Sequence, residues 1–445
     1  MKIKSKGLAA LVISLSMFGA GCSSSGNQVA GTKTMDSKTT PSAGGQQTIS
    51  WVSHPQYGMK SPDPKRLEYV KNAVSNFEKN HPNFKLDNSQ LSSTNSNESM
   101  ANLMQQVTQG RAPDISMIDS FMFPQFMKNL QPLDDYLAKA GIKADDFFPF
   151  VQKVVKGPDG KIYGLWFNTD TRVLFYRKDL IPQPPKTWDE VLTIGQQLKA
   201  KGMDPFIFPG GRGEGATITS ILPFFWGQGG KLVDDQGNAT FASGDNKQKM
   251  LNFLTFVNKL VQTGVTPQRV ANYKIENDQN NEFPSGKIAM FLGGSWQGQV
   301  LHDLLGDQEF DKWAVAPIPQ MSADQNATAA GGWVYGVFTK DPAKAQAAVD
   351  FLVDAFVGDK GMGQWCDIGG WLPTRKSLYG SPDWKGTKFN DDFKLQLDKY
   401  AQTRPSAPVY SKISEQMQIA LSSVISGSKS PEDALKDAQD AVSKQ

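Results

Sequence analysis

The stretch YGLWFNTDTRVLFYRKDLIPQPPKTWDE, residues 163–190, decides the fold. It sets one carboxylate, Asp170, among apolar and hydroxyl residues directly before Val173-Leu174-Phe175-Tyr176. That run is rich in β-branched and aromatic residues and reads as a strand buried on both faces. Burying a lone charge is costly. Asp170 is therefore either paired inside the fold or turned toward a cleft that binds something polar. After the strand come a Pro-rich turn and then a helix over 187–202, with Thr187 as N-cap and Glu190 closing a capping box.

Upstream, the strand around Ile49 and Trp51 precedes Leu67, Val70, Val74 and Phe77 at helical spacing. FKLDNSQL (84–91) reads as a strand, Met100, Leu103, Met104 and Val107 as a helix face, and PDISMID (113–119) as a strand. Strand and helix thus alternate, the mark of an α/β fold with a largely parallel sheet. Downstream, 205–209, 287–293, 312–319 and 332–338 read as strands. Helices are expected over 342–358, along the stripe Ile413, Met417, Ala420, Leu421 and Val424, and from Ser430 onward. The 445 residues suffice for two or three domains.

The N-terminus reads as a targeting segment. Lys2, Lys4 and Lys6 precede an apolar run over 8–20 that is too short to span a bilayer. Gly19-Ala20-Gly21-Cys22 follows, and small residues before a cysteine resemble a bacterial lipoprotein signal. Residues 1–21 are expected to be removed and Cys22 to carry lipid, with 22–47 as a flexible tether too polar to fold. Loss of the three lysines leaves 44 basic and 44 acidic residues, a balance that gives no reason to expect nucleic acid as partner. With Cys22 lipidated, Cys366 has no disulfide partner.

Few enzymes are compatible with the motifs. His54, His81 and His302 lie far apart, with no zinc spacing, no Walker loop and no Gly-x-Ser-x-Gly elbow. No cofactor is expected. GGRGEGA (210–216) is a weak dinucleotide fingerprint without its acidic partner and reads as a flexible loop. Asp119 and Asp170 could serve a glycoside-active enzyme as paired carboxylates.

GKIYGLWFNTDTRVLFYRKDLIPQPPKTWDEV, GRAPDISMIDS, FPSGKIAMFLGGSW, GGWLPTR and the C-terminal RPSAPVYSKISEQMQIALSSVISGSKSPEDALKDA resemble, in order, the extracellular sugar-binding proteins of ABC importers, the maltose-binding family. The resemblance covers the chain from about residue 48 to its end. It implies a type II periplasmic-binding-protein fold: two α/β lobes, a hinge, and an interlobe ligand cleft. By motif order, lobe one would be 48–168 plus 313–360, and lobe two 169–312 plus 361–445. It implies an oligosaccharide ligand, the membrane permease of an importer as partner, action as a monomer, and attachment to the outer face of the cytoplasmic membrane through the lipid alone.

Residue by residue, the resemblance makes Asp170 an acceptor for sugar hydroxyls, Asp119 a second acid, and Trp296 a platform for a sugar ring. The chemistry agrees: carboxylates accept hydroxyl protons strongly, and indole covers the C–H face of a pyranose. Trp226, Trp333, Trp371 and Arg375 sit beside Gly-rich turns and are further candidates, Arg375 as a brace for the cleft. His54 and Gln56 follow the first strand at the end where an α/β cleft opens, and Glu98 precedes the second helix. A binding protein for a polyamine or glycerol phosphate is the alternative of the same fold.

Overall fold

The computed structural model describes residues 45–93 and 96–444. The expected signal segment, Cys22 and nearly all of the tether lie outside them. The first strand already begins at Gln47.

The strands form two main sheets. The first has the order β2-β1-β3-β10-β4, with β1 Gln47–Ser53, β2 Phe84–Gln90, β3 Ile115–Asp119, β4 Gly164–Trp166 and β10 Trp333–Val337. The second has the order β6-β7-β5-β8, with β5 Arg172–Arg177, β6 Asp204–Ile207, β7 Ile288–Gly294 and β8 Trp313–Ala316. A small third sheet pairs β9 Thr328–Ala329 with β11 Ala401–Gln402.

The sheets are mixed rather than largely parallel. β1 runs parallel to β2 and β3, and β6 to β7. β10 is antiparallel to β3 and β4, and β5 to β7 and β8. The βαβ rule governs strands joined by a local helix. β10 and β5 instead arrive from the other sheet, so it does not bind them.

Local sequence explains the elements around the two cores. In β1, Ile49, Trp51 and Ser53 alternate inward, and Trp51 meets Phe351 edge-on at 5.1 Å. The helix Pro64–Asn80 starts where the Asp63 side chain accepts the Arg66 N–H and Pro64 fills the first turn. It buries Val70, Val74 and Phe77. The expected capping box of Thr187 and Glu190 is present at the helix Trp188–Lys199. In the second sheet Phe175 stacks on Phe291 across β5 and β7 at 4.7 Å; burying each such ring contributes about 1.5–3 kcal/mol.

Five residues, 167–171, carry the chain from β4 to β5 and so from one sheet to the other. A second crossing runs from β8 through β9 to β10, later than the expected boundary at 313, because Trp313–Ala316 pairs with β5. The third also comes later than expected. The helix Asp359–Gly369 packs on the first sheet's side, where Trp365 contacts Tyr57 and Phe167.

The crossings are sewn together by side chains that the sequence left unremarked. Thr328 Oγ1 accepts from Arg172 N at 2.9 Å, donates to Arg172 O at 2.7 Å, and lies 2.8 Å from Thr171 Oγ1. Thr169 and Leu372 exchange backbone hydrogen bonds of 2.8 and 2.9 Å, and Thr169 Oγ1 donates to Gly331 O. Thr328 is fully buried, so Thr328→Val strands these groups without changing shape. We expect a loss of about 2–4 kcal/mol, read from urea unfolding; a loss within the error of the wild-type curve would show that this stitch carries no stability.

Candidate functional site

Both sheets turn the C-terminal ends of their parallel strands to one place, the usual location of a cleft in α/β proteins. From the first sheet come His54, just past β1, Asp119 at the end of β3, and Trp333 at the start of β10. Asp119 and Trp333 are direct cross-strand partners and share a face. The Trp333 ring is half-buried and lies 4.8 Å from His54, which in turn lies 5.0 Å from Tyr57.

From the second sheet come Arg172 at the start of β5, its partner Gly294 at the end of β7, and Trp296 just beyond. The Arg172 guanidinium lies over the Trp296 indole at 4.5 Å, and its Nη1 is 3.5 Å from Glu276 Oε1. Glu276 opens the short helix Glu276–Asn280.

Asp170 stands between the walls. Its neighbours Thr169 and Thr171 are pinned by the crossings, and its carboxylate accepts no hydrogen bond among the described residues. The group is closely surrounded by protein yet still reached by solvent. Burial pushes its carboxyl up from the usual range, and Arg172 and Arg404 oppose this. Glu276 is pushed up by burial, opposed by Arg172 and reinforced by Asp170. Tyr57 is raised to about 12 by burial, and it also feels Arg66, Asp170, Glu276 and Asp119. All four act on Tyr57, so they lie within electrostatic reach of one point.

The other expected residues divide. Asp119 is committed elsewhere: its Oδ1 accepts from Arg404 Nη2 at 2.7 Å, and Ser96 also hydrogen-bonds it. Arg404 Nη1 reaches Glu214 Oε1 at 2.9 Å, and Glu214 also accepts from Tyr410, Ser414 and Gln418. Trp371 is buried, with Tyr57 at 4.9 Å, Trp365 at 5.2 Å and the Arg66 guanidinium over its ring at 4.6 Å. A ligand reaches that face only if Arg66 moves.

Arg375 is a brace inside the first lobe. It donates to Asp146 at 2.8 Å, to Asp359 at 2.6 Å and to Val357 O at 3.1 Å. Trp226 is buried at the far end of the helix Thr219–Trp226. Thr219 hydrogen-bonds Arg172, so Trp226 lies about 10 Å along the helix from that wall. Gln56 is exposed and its Oε1 accepts from Arg66 at 3.5 Å; Glu98 is exposed in the first turn of the helix Ser96–Thr108.

Sequence reasoning missed Tyr57, Arg66, Glu214, Glu276 and Arg404. None lies in a motif with chemical spacing. It also misread GGRGEGA as a flexible loop. A Cβ at Gly213 would stand 2.0 Å from Lys274 O, and one at Gly211 2.8 Å from Tyr273 O. The glycines permit close backbone contact, which delivers Glu214 to Arg404. Among the described residues no group of His, Cys, Asp and Glu is arranged to hold a metal ion, and no helix is long and apolar enough to cross a membrane.

Residues 61–356 match the family model of the bacterial extracellular solute-binding proteins, and the chain belongs to that family. A probable ABC transporter-binding protein of Deinococcus radiodurans is 27% identical over 349 residues, 73% of this chain and 77% of that protein. A maltooligosaccharide ABC transporter solute-binding lipoprotein of Streptococcus pneumoniae is 24% identical over 55% of this chain and 56% of its own. The maltose-bound MalE3 of T. maritima superposes with a TM-score of 0.72 at 24% identity, covering 89% of this chain and 99% of that one. The fold is thus the two-lobed α/β binding-protein fold.

Burial, and then the charge of Arg66, lower the His54 pKa from 6.5 to about 4. The unfolded chain therefore takes up this proton at a higher pH than the folded protein. Above pH 6.5 the group is neutral in both states and has no effect. Between pH 6.5 and about 4 it removes stability as pH falls, by roughly 3 kcal/mol in all. His54→Gln should flatten that part of a stability-against-pH curve measured by urea unfolding; an unchanged acid limb would mean His54 is not held neutral.

Proposed function

We propose that this chain captures an oligosaccharide between its two lobes and delivers it to the membrane permease of an ABC importer, without altering the sugar. The observation that carries this reading is the combination at one recess of a hydrogen-bond-free carboxylate, Asp170, with half-buried indoles, Trp296 and Trp333. A sugar edge needs strong acceptors, and a sugar face needs a flat apolar surface. The importer role follows from the family, and the sugar is suggested by relatives named for maltooligosaccharide and maltose.

Closure would add contacts from the second wall to a ligand already on the first, and so favour the closed form. A binding role also suits Asp119, whose tie to Arg404 leaves Asp170 without a free carboxylate partner of the glycosidase kind.

Titration calorimetry with maltose, maltotriose, maltotetraose and chitobiose tests the reading. At least one should bind and be recovered unhydrolysed. Asp170→Asn should weaken it about 10- to 100-fold without lowering the melting temperature, and Trp296→Ala should weaken it too. Binding to none of them, or to a polyamine or glycerol phosphate instead, would overturn the sugar assignment.

We further propose that Cys22 carries the lipid that holds the protein at the outer face of the cytoplasmic membrane. The run of small residues before Cys22 and the relative named as a lipoprotein support this. Cys22→Ala should abolish palmitate labelling and release the protein into the medium; retention of both label and membrane attachment would contradict it.

A further inference from the structure

We propose that Arg172 is a positioning residue: its guanidinium fixes the Trp296 indole, covers one of its faces and leaves the other for ligand. This rests on the reading of the recess as the ligand site. Arg172 is almost fully buried. Its Nε donates to Thr219 Oγ1 at 2.8 Å and its Nη2 to Gly215 O at 2.9 Å. Those two bonds fix the plane of the guanidinium. The guanidinium carbon then lies over the indole, 4.5 Å from its centroid, where cation and ring attract. The remaining nitrogen, Nη1, makes no hydrogen bond and lies 3.5 Å from Glu276 Oε1. One side chain thus sets both the aromatic platform and the carboxylate beside it.

Independent support comes from Gly294, the strand partner of Arg172. A Cβ there would lie 2.3 Å from Trp296 Cζ3 and 2.5 Å from Arg172 Nη1. Gly294 does not adopt the left-handed conformation, so its lack of a side chain serves space and not backbone freedom. The space it leaves is the slot in which indole and guanidinium meet.

Fluorine NMR of the full mature chain labelled with 5-fluorotryptophan tests this, with the Trp296 line assigned by its loss in Trp296→Phe. Arg172→Met should move and broaden that line, and Arg172→Lys should restore it only in part, since an ammonium cannot keep both hydrogen bonds and the contact with the ring. Gly294→Ala should displace the same line by crowding the slot, which keeps the test decisive if Arg172→Met does not fold. A Trp296 line unmoved in folded Arg172→Lys and Gly294→Ala proteins would overturn the assignment.

These measurements need no sugar, so they stand apart from the proposed function. With maltotriose, Arg172→Lys should bind about tenfold more weakly at a temperature where the variant is fully folded, and unchanged affinity would deny Arg172 a part in ligand positioning. If maltotriose does not bind the wild type, that failure belongs to the choice of sugar, and the fluorine line alone decides the role of Arg172.

Discussion

One buried guanidinium joins the two halves of this molecule. Arg404 follows β11, the strand that pairs with β9 of the second crossing, and holds Asp119 from the first sheet with one nitrogen and Glu214 from the second lobe with another. It also covers the Phe121 ring at 4.4 Å. A charge this deep is tolerated only with opposite charges and hydrogen bonds around it, and these need carboxylates from both sides. The arrangement of the lobes and the pairing of these charges therefore depend on each other. Glu214 reaches its place because three glycines let its loop press on the chain at Val270–Lys274.

That pairing also sorts the acids of the recess. Asp119 is neutralised by Arg404, Glu276 stands at ion-pair distance from Arg172, and Asp170 is left with solvent and long-range charge alone. The short crossing that carries Asp170 is fixed on both sides by threonines, so the carboxylate has a defined position without a partner of its own. An unpaired charge among packed residues costs stability. The molecule tolerates that cost at the point where the two walls converge, the place where a ligand would relieve it.

Much of this was legible in the sequence. The strands at Trp51, 173–178, 287–293 and 332–338, the capping box at Thr187 and the family motifs each rest on local signals that survive in the structure. Asp170 stood out because a lone acid beside a buried strand needs a reason. What was illegible depends on partners distant in the chain. The boundary at 313 failed because the partner of β8 is β5, more than a hundred residues earlier. Trp371 looked like a cleft residue beside glycines, but Arg66, over three hundred residues away, covers it. Trp226 shared that local context and ended at the far end of its helix. Glu276 lies in no motif, the family stretch that Arg404 opens assigns it no role, and only the folded arrangement gives the two a role.

On the proposed function, a carbohydrate lies between the two walls, against Trp296 and within reach of Asp170. A crystal structure of residues 45–445 grown with the tightest-binding oligosaccharide is the direct test. A sugar ring should stack on the Trp296 face away from Arg172, with a hydroxyl about 3 Å from an Asp170 oxygen. Density for the sugar at another surface, with the recess holding only water, would contradict it.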